Sequence, residues 1–322
     1  MSGVSVGIRG IAYALPNGRL SLGELSRLGH LESDPALLAE YGFANVAVAE
    51  EETPYELARA AAAAVLEEHA IRPASVDVLL YCGTPSVAFA RAGSASDAAR
   101  QIGTTGRFRY PATRLQYDLG LEAACTIALD QLACASLFAA VRVARSLILS
   151  GEARRVLCVS SEFFPECAGR EAIYNCTSDA ACALVVDDSA ERNRIVASAQ
   201  VTKGYYWDGD TLRDEIVASY FPTARHVMLA TLERAGWAPN DVRWVIPHNV
   251  STRSWEILLG LSGIPRERLW CRNVARLGHT LAGDNFINLR DALDSGTISS
   301  GDRLLLFAYG FGAHWTSLAV EA

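Results

Sequence analysis

The sequence predicts an α/β protein assembled from two like halves, and three features predict it. Short apolar runs alternate with helical stretches along the whole chain. Several of those runs, such as 76–82 and 242–247, are apolar at nearly every position, as in strands covered on both faces. Helix–turn–strand units of the first part reappear in the second in the same order.

Each element follows in turn. Residues 4–14 read as a strand ending at the turn Pro16-Asn17-Gly18. Residues 54–69 are alanine-rich with helical periodicity, Thr53 is placed to cap them, and Pro54 suits the first helical position. A strand at 76–82, a short helix at 95–102 and a strand at 124–129 come next. The long apolar helix 135–149 stops at Ser150-Gly151, and 156–160 and 181–186 are further strands. In the second part, 226–235 is helical and 242–247 is a strand. The segment 69–75 ahead of strand 76–82 resembles 236–241 ahead of strand 242–247. Pro73 matches Pro239 and Val76 matches Val242 at one common offset. Residues 147–161 and 297–308 both pass from a helix ending in Ser-Gly through a charged turn into an apolar strand. This duplication puts a boundary in the polar stretch 187–195, dividing the chain into 1–190 and 191–322.

Composition narrows the function. A chain of 322 residues can bury a sizeable core. A net charge of -7 opposes a nucleic-acid footprint, which needs clustered Lys and Arg. The eight cysteines form no CxxC pair and sit mostly in apolar runs, so they read as small buried hydrophobes rather than a disulfide framework. The first residues lack the pattern of a secretory leader, and no run of ~20 apolar residues could span a bilayer. A cytoplasmic enzyme without a membrane segment is the expectation.

Cys134 carries the chemistry. It stands where an apolar strand gives way to the long helix, with Ala133, Ala135 and Ser136 around it. A thiol at the start of a helix feels the positive end of the helix dipole, which favours the nucleophilic thiolate. Unpaired N–H groups in the first turn can face a developing oxyanion. His248 lies in Pro247-His248-Asn249, just past a strand, where ligand-facing residues collect in parallel sheets. His279 lies in a glycine-flanked loop with Asp284 shortly after it. A neutral imidazole can accept a thiol proton, and a carboxylate can fix its tautomer. A structural role for either histidine weighs about equally at this point. His248, His279 and Asp284 lack paired short ligand spacing, so no metal is expected, and no cofactor is implied. Glycines in the tail 308–315 let the backbone approach a ligand and offer a second oxyanion donor. Loops such as 85–93 and 203–219 are expected to set the pocket's size, and the aromatics of 203–210 read as a turn-rich surface loop.

The ordered set of these motifs resembles the β-ketoacyl-acyl-carrier-protein synthase III group of the thiolase superfamily. It comprises Gly10-Ile11-Ala12-Tyr13-Ala14-Leu15-Pro16, Cys134 before the central helix and Ser178-Asp179-Ala180-Ala181-Cys182-Ala183. Pro247-His248-Asn249, Gly278-His279-Thr280 and the Gly-x-Gly-x-x-Trp run ending at Trp315 complete it. The resemblance implies a thiolase-like, five-layered α/β/α/β/α fold built from two duplicated halves. It also implies a homodimer and a ping-pong acyl transfer through Cys134, from an acyl carrier protein or coenzyme A thioester. Gly312 matches the glycine that forms the oxyanion hole with the N–H of Cys134. Phe89 matches a phenylalanine that reaches into the partner's acyl pocket, and Asn249 is read as substrate-binding.

Two departures refine this. His279 stands where condensing members carry asparagine, and with Asp284 it resembles relatives from secondary, polyketide-type metabolism that move an acyl group onto a hydroxyl or amine. In that reading His279 deprotonates the small-molecule acceptor and Asp284 orients it. The tryptophan and arginine that coenzyme A-binding members place near positions 36 and 44 are absent, which favours a carrier-protein donor. The alternatives are a decarboxylative condensation with a malonyl thioester, using His248 and His279 as paired donors, and an inactive partner subunit of a synthase heterodimer. The latter ranks last because Cys134 and both histidines are kept.

Overall fold

The computed structural model describes residues 5–83, 110–164, 168–209 and 211–322. Phe89, the loop 85–93 and the expected helix 95–102 lie outside the described residues.

The chain opens with strands β1 (Gly7–Ala14) and β2 (Gly18–Ser21), helices α1 (Leu22–Arg27) and α2 (Pro35–Glu40), and strand β3 (Asn45–Val48). Helix α3 (Pro54–Glu68), strand β4 (Val78–Gly83), helix α4 (Pro111–Asp118) and strand β5 (Cys125–Leu129) follow. Helix α5 (Ser136–Leu149) leads to β6 (Arg155–Glu162), the small hairpin β7 (Glu171–Ala172) and β8 (Asn175–Cys176), and β9 (Ala180–Asp187). Then come β10 (Arg194–Thr202), α6 (Arg213–Ala235), β11 (Trp244–Pro247), α7 (Thr252–Ser262), α8 (Asn273–Leu277) and α9 (Asp284–Asp294). Strands β12 (Arg303–Gly310) and β13 (His314–Glu321) close the chain.

Nine strands hydrogen-bond in the order β11-β12-β13-β10-β1-β9-β6-β4-β5. The pairing repeats about the middle. In one part β1 runs antiparallel to β9, β9 antiparallel to β6, and β6 parallel to β4. In the other, β10, β13, β12 and β11 pair in the same senses. In the sheet the two parts meet where β1 and β10 pair, with Gly7 opposite Arg194. Both sequence echoes fall on matching places: Pro73–Ser75 and Pro239–Asp241 are 3-10 turns that lead into β4 and β11, and the second echo leads into β6 and β12, which take the same position in the two pairing orders.

Strand alternation sorts the side chains into layers. Cys182, Leu184 and Val186 of β9 face one core, while Ala181, Ala183 and Val185 face another. Leu304 and Leu306 of β12 enter that same first core, while Leu305 and Phe307 enter a third. The shared core contains α5 and α9, whose Phe138 and Phe286 rings lie 5.3 Å apart. Helix α3 covers the outer face of the first sheet part, and α6 and α7 cover that of the second. Layers therefore run α/β/α/β/α. Strands buried on both faces explain the continuous apolar runs seen in the sequence.

Local signals hold where they are strong. Thr53 caps α3 and exchanges hydrogen bonds with Glu56 in a capping box. The largest difference lies in α6, which begins at Arg213 and not near 226, with Pro222 inside it. A proline reads as a breaker because it lacks an N–H and crowds the preceding turn. Here the buried face of Ile216, Ala224, Val227, Met228 and Leu232 carries the helix through it. Strand β1 starts at Gly7, later than residue 4.

One buried ion pair fixes the approach to β9. Arg170 donates to both carboxylate oxygens of Asp179 at 2.7 and 2.9 Å. Asp179 also accepts from the backbone N–H groups of Ala49 and Phe164. Removing one partner of such a pair strands the other charge. Arg170→Met is therefore expected to lower stability by about 3–5 kcal/mol in urea denaturation. The double change Arg170→Met, Asp179→Leu should recover part of that loss.

Candidate active site

Three segments converge where β11 ends and where α5 and α9 begin. After β5 the chain turns sharply, with Gln131 and Ala133 at positive φ. Ala133–Ala135 forms one 3-10 turn, so buried Cys134 sits just ahead of α5, before the helix as the sequence reading placed it. Gly310, at the end of β12, packs against this turn. A Cβ there would lie 2.1 Å from the Leu132 carbonyl oxygen, so only glycine permits the approach. His314, at the start of β13, pairs with the Thr202 hydroxyl at 2.9 Å and with backbone at Gln131, which ties the tail to the same turn.

His279 is placed by backbone bonds to a neighbouring segment. Its N–H donates to the Cys176 carbonyl at 2.7 Å, and its own carbonyl accepts from the N–H of Ser178 at 2.9 Å. Gly278 before it has φ +63, and a side chain there would press on the Cys176 carbonyl at 2.6 Å.

The side chains then form a line. Cys134 Sγ lies 3.2 Å from His279 Nε2, and His279 Nδ1 lies 2.5 Å from Asp284 Oδ2. Asp284 is wholly buried at the start of α9. Its Oδ1 accepts from the Thr280 N–H and hydroxyl, both at 2.6 Å, and its Oδ2 accepts from the Asn249 N–H at 2.6 Å. These four polar contacts and the positive end of α9 thus replace the water that this carboxylate gives up.

The two histidines are driven in opposite directions. Burial works against a charged His279, but the adjacent Asp284 and the Cys134 sulfur outweigh it, and its pKa rises well above the ordinary value. His248 is pushed down to about 3, first by burial and then by the charge on His279, so it is neutral at physiological pH. The two rings lie 6.2 Å apart between centroids. His248 is held from behind, its carbonyl accepting from Trp255 Nε1 at 3.0 Å. Asn288 Nδ2 donates to the Pro247 carbonyl and to Asn249 Oδ1, both at 2.8 Å, bracing the segment that carries His248.

Cys134, His248 and His279 open onto one cavity of about 360 Å³. Its walls are mainly apolar and aromatic, and the exposed Arg253 is among them. Asp284 and Asn249 lie behind the histidines, and Gly312 lies in the β12–β13 turn next to the lining residue Phe311. Part of the wall was not legible as such. The β7–β8 hairpin contributes Ala172 to Asn175, and the unexpected first turns of α6 contribute Ile216, Val217 and Tyr220. The aromatic segment after Lys203 does not line the cavity among the described residues, although Gly209 packs on the Phe311 ring. Among the described residues no group of His, Cys, Asp and Glu is placed to hold a metal, and no helix is long and apolar enough to cross a membrane.

Two duplicated sheet–helix halves closing over a buried pair of helices define a thiolase-type fold, and the likenesses to known proteins agree. Residues 130–204 match the family model for 3-oxoacyl-[acyl-carrier-protein] synthase III, and residues 232–322 match the model for its C-terminal part. The chain belongs to this family of acyl-group transferases. It is 27% identical over 330 residues to the β-ketoacyl-[acyl-carrier-protein] synthase III of Aquifex aeolicus, covering 98% of each chain. It is 29% identical over 345 residues to synthase III 3 of Streptomyces coelicolor, covering 97% of this chain and 96% of the relative. The Aquifex aeolicus synthase III crystal structure has the same fold, with a TM-score of 0.83 at 24% identity over 98% of this chain and 100% of that one. The structure of the acyltransferase ChlB3 also scores 0.83, at 20% identity over 99% and 98% of the two chains.

The ion pair sets a pH dependence. Because the folded pKa of His279 is raised, its contribution to stability is complete below the unfolded value of about 6.5 and is lost as pH rises through the folded value. Asp284→Asn removes the charge that raises it. Imidazole NMR should show His279 titrating lower in that variant, and denaturation should show a smaller loss of stability on the alkaline side. Gly310→Ala should lower the melting temperature and slow alkylation of Cys134 by iodoacetamide, because the Leu132–Ala135 turn must move.

Proposed function

We propose that this chain is a cytoplasmic ketosynthase III-like acyltransferase. It takes an acyl group onto Cys134 from an acyl-carrier-protein or coenzyme A thioester and passes it to the hydroxyl or amine of a small molecule. The observation that carries this is the 3.2 Å and 2.5 Å pair of contacts linking Cys134, His279 and Asp284. The division into 1–190, bearing the nucleophile, and 191–322, bearing the histidines, is part of the same reading.

The steps balance with these groups alone. Cys134 first gives its proton to His279 Nε2, 3.2 Å away, and becomes a thiolate. The thiolate attacks the donor's carbonyl carbon, and the N–H groups of Cys134 and Gly312 receive the oxyanion. The donor sulfur departs and takes the proton from His279 Nε2. The acyl-enzyme is now a thioester beside a neutral imidazole held in one tautomer by Asp284. Acceptor oxygen or nitrogen attacks that thioester while its proton passes to His279, and the Cys134 thiolate leaves. His248, neutral throughout, is suited to donate or accept a hydrogen bond from the substrate rather than to carry charge. Asn249 is assigned to substrate binding through the same segment.

Two structural likenesses favour this chemistry in secondary metabolism. One is ChlB3, an acyltransferase, and another is the priming ketosynthase of the R1128 polyketide pathway. The chain is assigned as a homodimer. Among the described residues strand β5 is one edge of the sheet order, and its Cys125, Ile127 and Ala128 are exposed. A second copy pairing there would cover an edge that isolated proteins usually protect.

The second reading is decarboxylative condensation. It is favoured by the proximity of two imidazoles, either of which can stabilise an enolate. An inactive partner subunit is disfavoured because Cys134, His279 and Asp284 are assembled. Intact-mass measurement after exposure to a panel of acyl thioesters is expected to show one acyl addition, absent in Cys134→Ala. His279→Asn should lose most transfer, by about 10²–10⁴-fold for a removed general base. Full turnover by Cys134→Ala would refute the reading, and carbon dioxide release from a malonyl thioester would select condensation instead.

A further inference from the structure

The β7–β8 hairpin is bent in a way its residues do not favour. Glu171 pairs with Cys176 and Ala172 with Asn175, leaving a two-residue turn of Ile173 and Tyr174. Both have positive φ, +47 and +63. Two-residue turns of this kind select Asn-Gly, because a left-handed conformation crowds a Cβ against the backbone. A β-branched isoleucine there is an outlier. Core burial does not compensate, since Ile173 is half-buried and Tyr174 is 44% exposed.

The surroundings hold the turn in place. Asn175 Nδ2 donates to the Ala172 and Ile173 carbonyls at 3.1 and 2.9 Å. Its Oδ1 accepts from the Ser251 N–H at 3.1 Å, so the hairpin is pinned to the segment that enters α7. The Tyr174 ring meets Tyr41 edge-on at 6.2 Å, and the Arg213 guanidinium lies over it at 5.8 Å. Ile173 and Tyr174 both line the cavity that ends at Cys134. Strain at such a site signals that side-chain placement matters more than backbone comfort.

We propose that the Ile173–Tyr174 turn is a rigid lip that determines specificity, favouring flat aromatic groups over saturated groups of the same size at the entrance of this cavity. The same cavity is lined by the Tyr309 ring, which meets Tyr220 and Phe311 edge-on at 5.5 and 5.8 Å, so an aromatic guest finds ring partners besides Tyr174. A thicker saturated ring has to displace a lip that is braced on three elements. This deepens the acyl-transfer reading and rests on it for the identity of the cavity.

The test separates the two. Calorimetric titration of the full chain with benzyl and cyclohexylmethyl thioethers of pantetheine reads the preference without any chemistry. The wild type is expected to bind the benzyl compound about tenfold more tightly, near the upper range of one aromatic pair. Tyr174→Ala should bring the two within about twofold. Ile173→Asn, Tyr174→Gly should do the same while raising the melting temperature, which a purely structural role would not combine. Equal binding by the wild type, or an unchanged preference in Tyr174→Ala, overturns the lip. A clear preference together with no acylation of Cys134 by any thioester of the panel, benzoyl included, leaves the lip standing and sinks the acyl-transfer reading.

Discussion

The arrangement depends on keeping one carboxylate charged in the interior. Asp284 has no access to solvent, and hydrogen bonds from Thr280, Asn249 and His279 take the place of water. Hydrogen bonds to a charged group contribute roughly 1.5–3 kcal/mol each, and an uncompensated buried charge costs more than any one of them supplies. The loops bearing His248 and His279 are thus both committed to the same anion. Their positions, and the proton on His279, follow from that commitment.

The layered core supplies the rigidity this requires. Helices α5 and α9 lie between sheet faces and begin at the site, so Cys134 and Asp284 are each attached to an element that cannot shift alone. Gly310 allows the third element, the end of β12, to close on the nucleophile's turn at backbone contact. The asparagines of α9 finish the assembly. Asn285 Nδ2 bonds the Ile246 and Phe307 carbonyls, and Asn288 bonds that of Pro247, locking the ends of β11 and β12 to the helix.

Charged and aromatic side chains share the walls of one cavity. Opposed pKa shifts place a charged imidazole beside a neutral one, which gives two histidines different chemical characters from similar positions. Rings from the hairpin, α6 and the tail line the same cavity.

The sequence by itself determined the alternation of strands and helices, the duplication, and the identities of Cys134, His248, His279 and Asp284 as chemically suited residues. These were legible because doubly covered strands must be apolar, because caps such as Thr53 act within one turn, and because the family motifs are local. It did not reveal the true start of α6. There a local breaker, Pro222, is overruled by packing against a sheet assembled from distant parts of the chain. Nor did it reveal that Ile173 and Tyr174 form a strained wall of the cavity, since residues of that type ordinarily signal a strand rather than a left-handed turn. The pKa split between the two histidines was decided by the tertiary structure alone. It arises from distances and burial across segments far apart in sequence, and no local pattern encodes the field that one charged group imposes on another.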